Sequence, residues 1–190
     1  MGIAFRAGRK KDAYEIACLF QITSEGMADY IWSQLAQPGQ ALIEVGTARY
    51  AREQVDFSYE NCLIAEANDT VIGMMHSYIT RLAPDASPTT DPVLAPYADM
   101  EIPDSLYISS LAFHDGWRNQ GLGTRFIELA KERARTLTLN GISLIDYASN
   151  TGARRFYERH GFNIVKVCDI VPHPLVRVTG EAYLMHWSEA

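Results

Sequence analysis

Two short segments hold most of the residues whose types and spacing could do chemistry. The first is Phe113-His114-Asp115-Gly116-Trp117-Arg118-Asn119-Gln120-Gly121-Leu122-Gly123-Thr124. Gly121 and Gly123 lack a Cβ, so an anion can approach the main chain closely there. Leu122, Phe126, Leu129, Ala130 and Arg133 follow at helical spacing. The first amides of a helix are unpaired donors at the positive end of its dipole, a place for a pyrophosphate whose charge Arg118 would share. The segment is not a dinucleotide fingerprint, because Phe126 occupies the third glycine position, nor a P-loop, because no Gly-Lys-Ser/Thr follows. A bare Gly-x-Gly also fits a tight turn and nothing more. The second segment is Ser149-Asn150-Thr151-Gly152-Ala153-Arg154-Arg155-Phe156-Tyr157-Glu158-Arg159-His160-Gly161-Phe162. A tyrosine phenol, with a pKa near ~10, is a protonated donor at neutral pH, though Tyr157 could equally be packed like Phe156 beside it.

Together the two segments resemble the Gcn5-related N-acetyltransferase (GNAT) superfamily. Arg118-x-x-Gly121-x-Gly123 is similar to its pyrophosphate motif, Arg/Gln-x-x-Gly-x-Gly/Ala. Asn150, Ala153, Phe156-Tyr157-Glu158 and Gly161-Phe162 are similar to its second helix-and-strand motif. The resemblance implies an acetyl-CoA-dependent N-acetyltransferase that moves an acetyl group to a primary amine by direct transfer in a ternary complex. It implies a main-chain interaction of Leu111, Ala112 and Phe113 with the pantetheine arm. Arg118, Asn119, Gln120, Gly121, Leu122, Gly123 and Thr124 would hold the pyrophosphate, and Asn150 and Ala153 would also contact the cofactor. A backbone N–H near Leu111 would polarise the acetyl carbonyl. Tyr157 would be the general acid for the departing thiolate.

The base is not legible. An alkyl ammonium has a pKa of about 10.4, so the acceptor must lose a proton before it attacks. The strand segment Leu106–Phe113 (LYISSLAF) offers Tyr107, Ser109 and Ser110, none of them a base unaided. Glu25 and Asp29 stand where the family builds its acceptor site, though capping and solvated charge are the simpler account of them. Tyr107 and Ser109 join them as candidate acceptor residues. His76 is a further candidate base, more simply read as a core histidine. A second reading of the whole chain is a catalytically silent acyl-CoA-binding sensor or interaction domain with the same fold, which would keep the glycine loop and lack a base.

These residues need a scaffold. Ile3–Arg6 reads as a strand, Ala13–Phe20 as an amphipathic helix, and the stretch up to Pro38 as a second. Residues 41–55 read as a third helix. Asn61–Ala67 and Val71–Thr80 flank Asn68-Asp69 as a hairpin. Leu106–Phe113 reads as a buried strand, followed by a helix to about Asn140, a strand at Ile142–Ala148, a helix from Asn150 to His160 and two last strands. The order implies an α/β mixture around one sheet; the resemblance implies a single-domain GNAT-like fold over residues 1–190, with a mixed central sheet of about six to seven strands, splayed at the cofactor cleft and flanked by helices. Residues 81–104 carry five of the eight prolines and read as a loop insertion, either solvated or a flap.

The 190 residues carry 17 Lys and Arg against 23 Asp and Glu, a net charge of −6, which weighs against nucleic acid or an anionic membrane as partner. The expected partner is a small-molecule or peptide amine, with a homodimer left open. Three scattered cysteines make no disulfide framework or Cys-x-x-Cys motif, and the histidines show no ligand spacing, so no metal is expected. No run approaches the ~18 apolar residues of a membrane span, and no signal-peptide core is visible. A cytoplasmic location is expected.

Overall fold

A computed structural model describes residues 2–81 and 89–189. Among the described residues seven strands and five helices follow in the order β1 (Ile3–Ala7), α1 (Ala13–Thr23), α2 (Met27–Ser33), α3 (Leu42–Tyr50), β2 (Cys62–Ala67), β3 (Thr70–Ile79), β4 (Leu106–Phe113), α4 (Leu122–Thr136), β5 (Ile142–Tyr147), α5 (Thr151–Arg159), β6 (Asn163–Asp169) and β7 (Glu181–Trp187). The strands form one mixed sheet in the order β1-β2-β3-β4-β5-β7-β6, the α/β architecture expected from the element order. The chain divides into two compact units, residues 1–77 with 110–126 and residues 78–109 with 127–190.

In the first unit β1, β2 and β3 are antiparallel neighbours. Asn68 and Asp69 both take positive φ, 49° and 58°, the backbone of a two-residue turn whose twist suits a hairpin. Ile16, Ala17 and Leu19 of α1, Trp32 of α2, Tyr50 of α3, Ile64 and Met74 are almost wholly buried together. Gly46 lies so close to the Trp32 indole that a Cβ there would overlap the ring. Two helices are shorter than their sequence pattern suggests. The second ends at Ser33 and the third at Tyr50, where the chain turns through Gln54 at φ 57°. The apolar residues past those points, Leu35 and Val55, are exposed, so no buried face extends the helix.

The second unit contains the start of β4, which runs parallel to β5 with Leu106–Ile108 beside Ile142–Leu144. β7 pairs antiparallel with both β5 and β6, so the last strand of the chain inserts between them. Ser105, Ser143 and Thr80 form a buried hydroxyl cluster, with Ser105 and Ser143 oxygens 2.6 Å apart. Lys131 of α4 donates to the His160 carbonyl at 2.7 Å, and its ammonium lies 4.6 Å from the Trp187 ring centre. Of the proline-rich segment, residues 82–88 lie outside the described residues. The remainder holds a short turn at Ala95–Tyr97 and buries Val93 and Met100, so that part is packed rather than a solvated insertion.

Candidate active site

The glycine loop lies in the first unit. After a single 3₁₀ turn at Asp115–Trp117, Asn119 (φ 59°) and Gly121 (φ 77°) both take left-handed backbone and bring the chain sharply into α4 at Leu122. This conformation gives Gly121 a physical reason, since a side chain would be strained there. The Thr124 amide bonds to the Gly121 carbonyl at 3.1 Å and closes the first turn. Arg118 is already engaged within the loop. Its Nε donates to the Phe113 carbonyl at 3.0 Å and Nη1 lies 3.1 Å from Asp115, so an anion would have to share the guanidinium with that carboxylate. Gln120 donates its side-chain amide to the Gly116 carbonyl at 2.8 Å.

The end of β4 feeds this loop. Ala112 is part of the core, and the Phe113 ring packs 5.3 Å from Phe126 and against Gly73. Leu111 is the half-buried member of the three. The Phe113 carbonyl, a candidate partner for a pantetheine arm, is occupied by Arg118 in this structure. At the junction of α1 and α2, Glu25 takes φ 51° next to Gly26, and Asp29 accepts from Gln21 Nε2 at 2.5 Å in the first turn of α2. That placement gives Asp29 a local structural role. His76 is fully buried against Tyr50 and Phe57, with its Nε2 2.8 Å from the Asp56 carbonyl. Burial brings it down to about 4, so it is a neutral core histidine.

In the second unit Asn150 is the N-cap of α5, its side-chain oxygen accepting the Ala153 amide at 3.2 Å. This explains an asparagine at that position before any ligand is invoked. Tyr157 is half-buried between Phe156 and Phe162, whose ring centres lie 5.3 and 5.7 Å away. Burial pushes its phenol well above the ordinary tyrosine value, and the Asp146 charge adds to the rise. The Tyr107 ring packs at a tilt against Tyr78 with ring centres 5.4 Å apart, and burial raises its phenol strongly too. Ser109 is half-buried on β4.

Asp146 was not among the sequence candidates. It is 4% exposed on β5, and its Oδ2 has no hydrogen-bond partner. Burial raises the carboxyl to about 6, against the opposing effects of the Tyr147 main chain and Arg154. A signal was available. In the strand ISLIDY, Asp146 shares a face with Ile142 and Leu144, and an acid on an apolar strand face is worth noting. Among the described residues no group of three or more His, Cys, Asp or Glu could hold a metal, and no helix is long and apolar enough to cross a membrane.

The profile of the acetyltransferase (GNAT) family matches residues 28–162. The chain belongs to that family. It is thus an acetyltransferase by membership. No curated protein sequence matches it. An N-acetyltransferase from Staphylococcus aureus Mu50 has a similar fold, with a TM-score of 0.66, 15% identity, and 96% of this chain and 98% of that one covered. Naa50 of Arabidopsis thaliana, in complex with the bisubstrate analogue CoA-Ac-MVNAL, gives 0.59 at 16% identity with 100% of both chains covered. An acetyltransferase of Bacillus subtilis in complex with CoA gives 0.55 at 14% identity, covering 99% and 98%. At these identities the likeness is one of fold.

Proposed function

We propose that this acetyltransferase moves the acetyl group of acetyl-CoA to a primary amine of a small molecule or peptide, by direct attack in a ternary complex. The observation that carries the reading is the left-handed turn at Asn119 and Gly121, which opens α4 within a family-matching Arg118-x-x-Gly121-x-Gly123 sequence. Such a turn leaves the first amides of a 15-residue helix pointing along its positive end, where a pyrophosphate is stabilised. In the first unit, Arg118 and the amides from Asn119 to Thr124 hold the pyrophosphate, while main-chain groups of Leu111–Phe113 meet the pantetheine arm. Of the second unit, Asn150 and Ala153 are assigned to cofactor contact, and Tyr157 serves as general acid. Glu25, Asp29, Tyr107 and Ser109 are assigned to the acceptor. The proteins of similar fold from Arabidopsis and Bacillus carry CoA or a CoA conjugate, which supports the choice of donor.

The reaction needs the acceptor as a free amine and needs a proton for the thiolate that leaves. Calorimetric titration with acetyl-CoA, followed by coenzyme A release across a panel of small amines and peptides with free amino termini, tests both halves. Micromolar binding with release above the buffer rate supports the reading. Binding with no release from any amine favours a silent acyl-CoA sensor, and no binding by folded protein overturns the donor site. Tyr157→Phe is expected to lower kcat about 100-fold while leaving acetyl-CoA affinity unchanged, the size of a general-acid contribution.

A further inference from the structure

Ser110 is a polar residue on an apolar strand face. It is 6% exposed on β4, on the same side as buried Ala112, and a hydroxyl there needs a partner. Thr23, in the last turn of α1, supplies it, with the two side-chain oxygens 2.7 Å apart. Thr23 Oγ1 also lies 3.3 Å from the Leu19 and Phe20 carbonyls, to which its one proton bonds back. The Ser110 hydroxyl therefore donates to Thr23. Each end of this bridge adjoins groups assigned to the reaction. The Ser110 carbonyl carbon is bonded to the Leu111 nitrogen, so anchoring Ser110 anchors the peptide that carries the Leu111 N–H. Beyond Thr23 the chain passes through Ser24 to Glu25 at φ 51° and Gly26 at φ 90°, and so into α2 with Asp29. We propose that Thr23 and Ser110 are positioning residues, whose hydroxyl bridge fixes the acceptor-binding turn against the strand that meets the acyl-pantetheine arm. This rests on Glu25 and Asp29 binding the acceptor and on Leu111 meeting that arm.

The turn between α1 and α2 is braced within itself. Ser24 Oγ donates to the Gln21 carbonyl at 3.1 Å and accepts the Ala28 amide at 3.2 Å, and the Met27 amide donates to the Ser24 carbonyl at 2.9 Å. Asp29 accepts from Gln21 at 2.5 Å, which ties α2 back to α1. A turn held in this way moves as one body, so a tie to β4 sets where both of its carboxylates stand. Leu19 and Phe20 of α1 share a buried cluster with Ala112 of β4. Apolar burial of that kind draws helix and strand together without fixing a direction. The 2.7 Å bridge adds the direction. Bond transfer needs this, because a displacement of ~1 Å at the reacting groups can cost ~100-fold in rate. Thr23, the turn and Ser110–Phe113 all lie in the first unit.

The test separates position from stability, with n-butylamine and trialanine as acceptor probes. Thr23→Val keeps the shape and leaves the buried Ser110 hydroxyl without its partner, so the urea midpoint and the activity are both expected to fall. The double variant Thr23→Val, Ser110→Ala removes both hydroxyls, and an apolar pair in place of a hydrogen-bonded one is nearly neutral for stability. It is expected to regain the wild-type urea midpoint while its kcat/KM for the amine stays about tenfold below wild type. Acetyl-CoA affinity by calorimetry is expected to be unchanged in it. Thr23→Ser, which retains the hydroxyl, is expected to stay within about twofold of wild type. Wild-type activity in the double variant makes the bridge merely structural and overturns the proposal. If Glu25→Gln or Asp29→Asn is impaired in the same assay, the acceptor reading survives that outcome. If both match wild type, the acceptor reading itself is lost. Amide hydrogen exchange gives a readout that needs no acceptor. Met27 and Ala28 are expected to exchange about tenfold faster in the double variant at equal global stability, and rates equal to wild type overturn the tie.

Discussion

Asp12 and Asp146 are both 4% exposed, yet their chemistry is opposite. Asp12 sits in the first unit under the Arg6 guanidinium, with Nη1 and Nη2 at 2.7 and 3.1 Å, and accepts the Arg9 amide at 2.8 Å. Arg6 also donates to Glu66 through Nε at 2.8 Å. Burial works to raise Asp12, but the Arg6 and Arg9 bonds and the Arg6 charge outweigh it and bring the carboxyl below its usual range. Asp146 in the second unit has burial without a bound cation, and it rises to about 6. Burial therefore sets only the cost of charge in each unit, and pairing decides whether the charge is kept. The paired acid is structural. The unpaired one remains able to exchange a proton near neutral pH.

The largest expected effect breaks the paired side. Arg6→Met leaves Asp12 buried without its cation, and urea denaturation at pH 7 is expected to show a loss of about 3 kcal/mol or more. Full wild-type stability in that variant would mean the network contributes nothing. The next sharpens the unpaired side. Asp146 binds its proton more tightly folded than unfolded, so its penalty is absent below its unfolded value of 3.8, grows as pH rises, and is complete above about 6. Asp146→Asn is thus expected to stabilise the protein by about 3 kcal/mol at pH 8 and by almost nothing at pH 4. Chemical denaturation at the two pH values reads the difference.

Asp12 has the reverse sign. Its lowered carboxyl contributes stability above the unfolded value of 3.8, and that contribution is lost as pH falls through the folded value. Asp12→Asn is expected to destabilise at pH 7 and to matter progressively less under acid conditions, the mirror image of Asp146→Asn in the same assay. The smallest effect concerns the Asn150 cap. Asn150→Ala is expected to cost about 1 kcal/mol in thermal unfolding, the usual cost of an exposed N-cap. A larger loss of acetyl-CoA affinity than of stability would point to contact with the cofactor as well as capping.

The sequence by itself determined the order of elements, because each apolar pattern has one period and each break has a local cause. Asn68-Asp69 turns a hairpin because both residues take left-handed backbone at low cost, and Gly121 opens α4 in the same left-handed region, which glycine adopts without strain. The two motifs that carry the family were legible for the same reason, being contiguous and locally specified. Tertiary structure decided what depends on partners distant in sequence. That β7 lies between β5 and β6 follows from long-range pairing that no window of residues contains. Asp12 and Asp146 make the point most directly. Asp12 follows two lysines and Asp146 lies on an apolar strand, yet it is the folded chain that places the Arg6 guanidinium of β1 on the first and leaves an oxygen of the second without a partner.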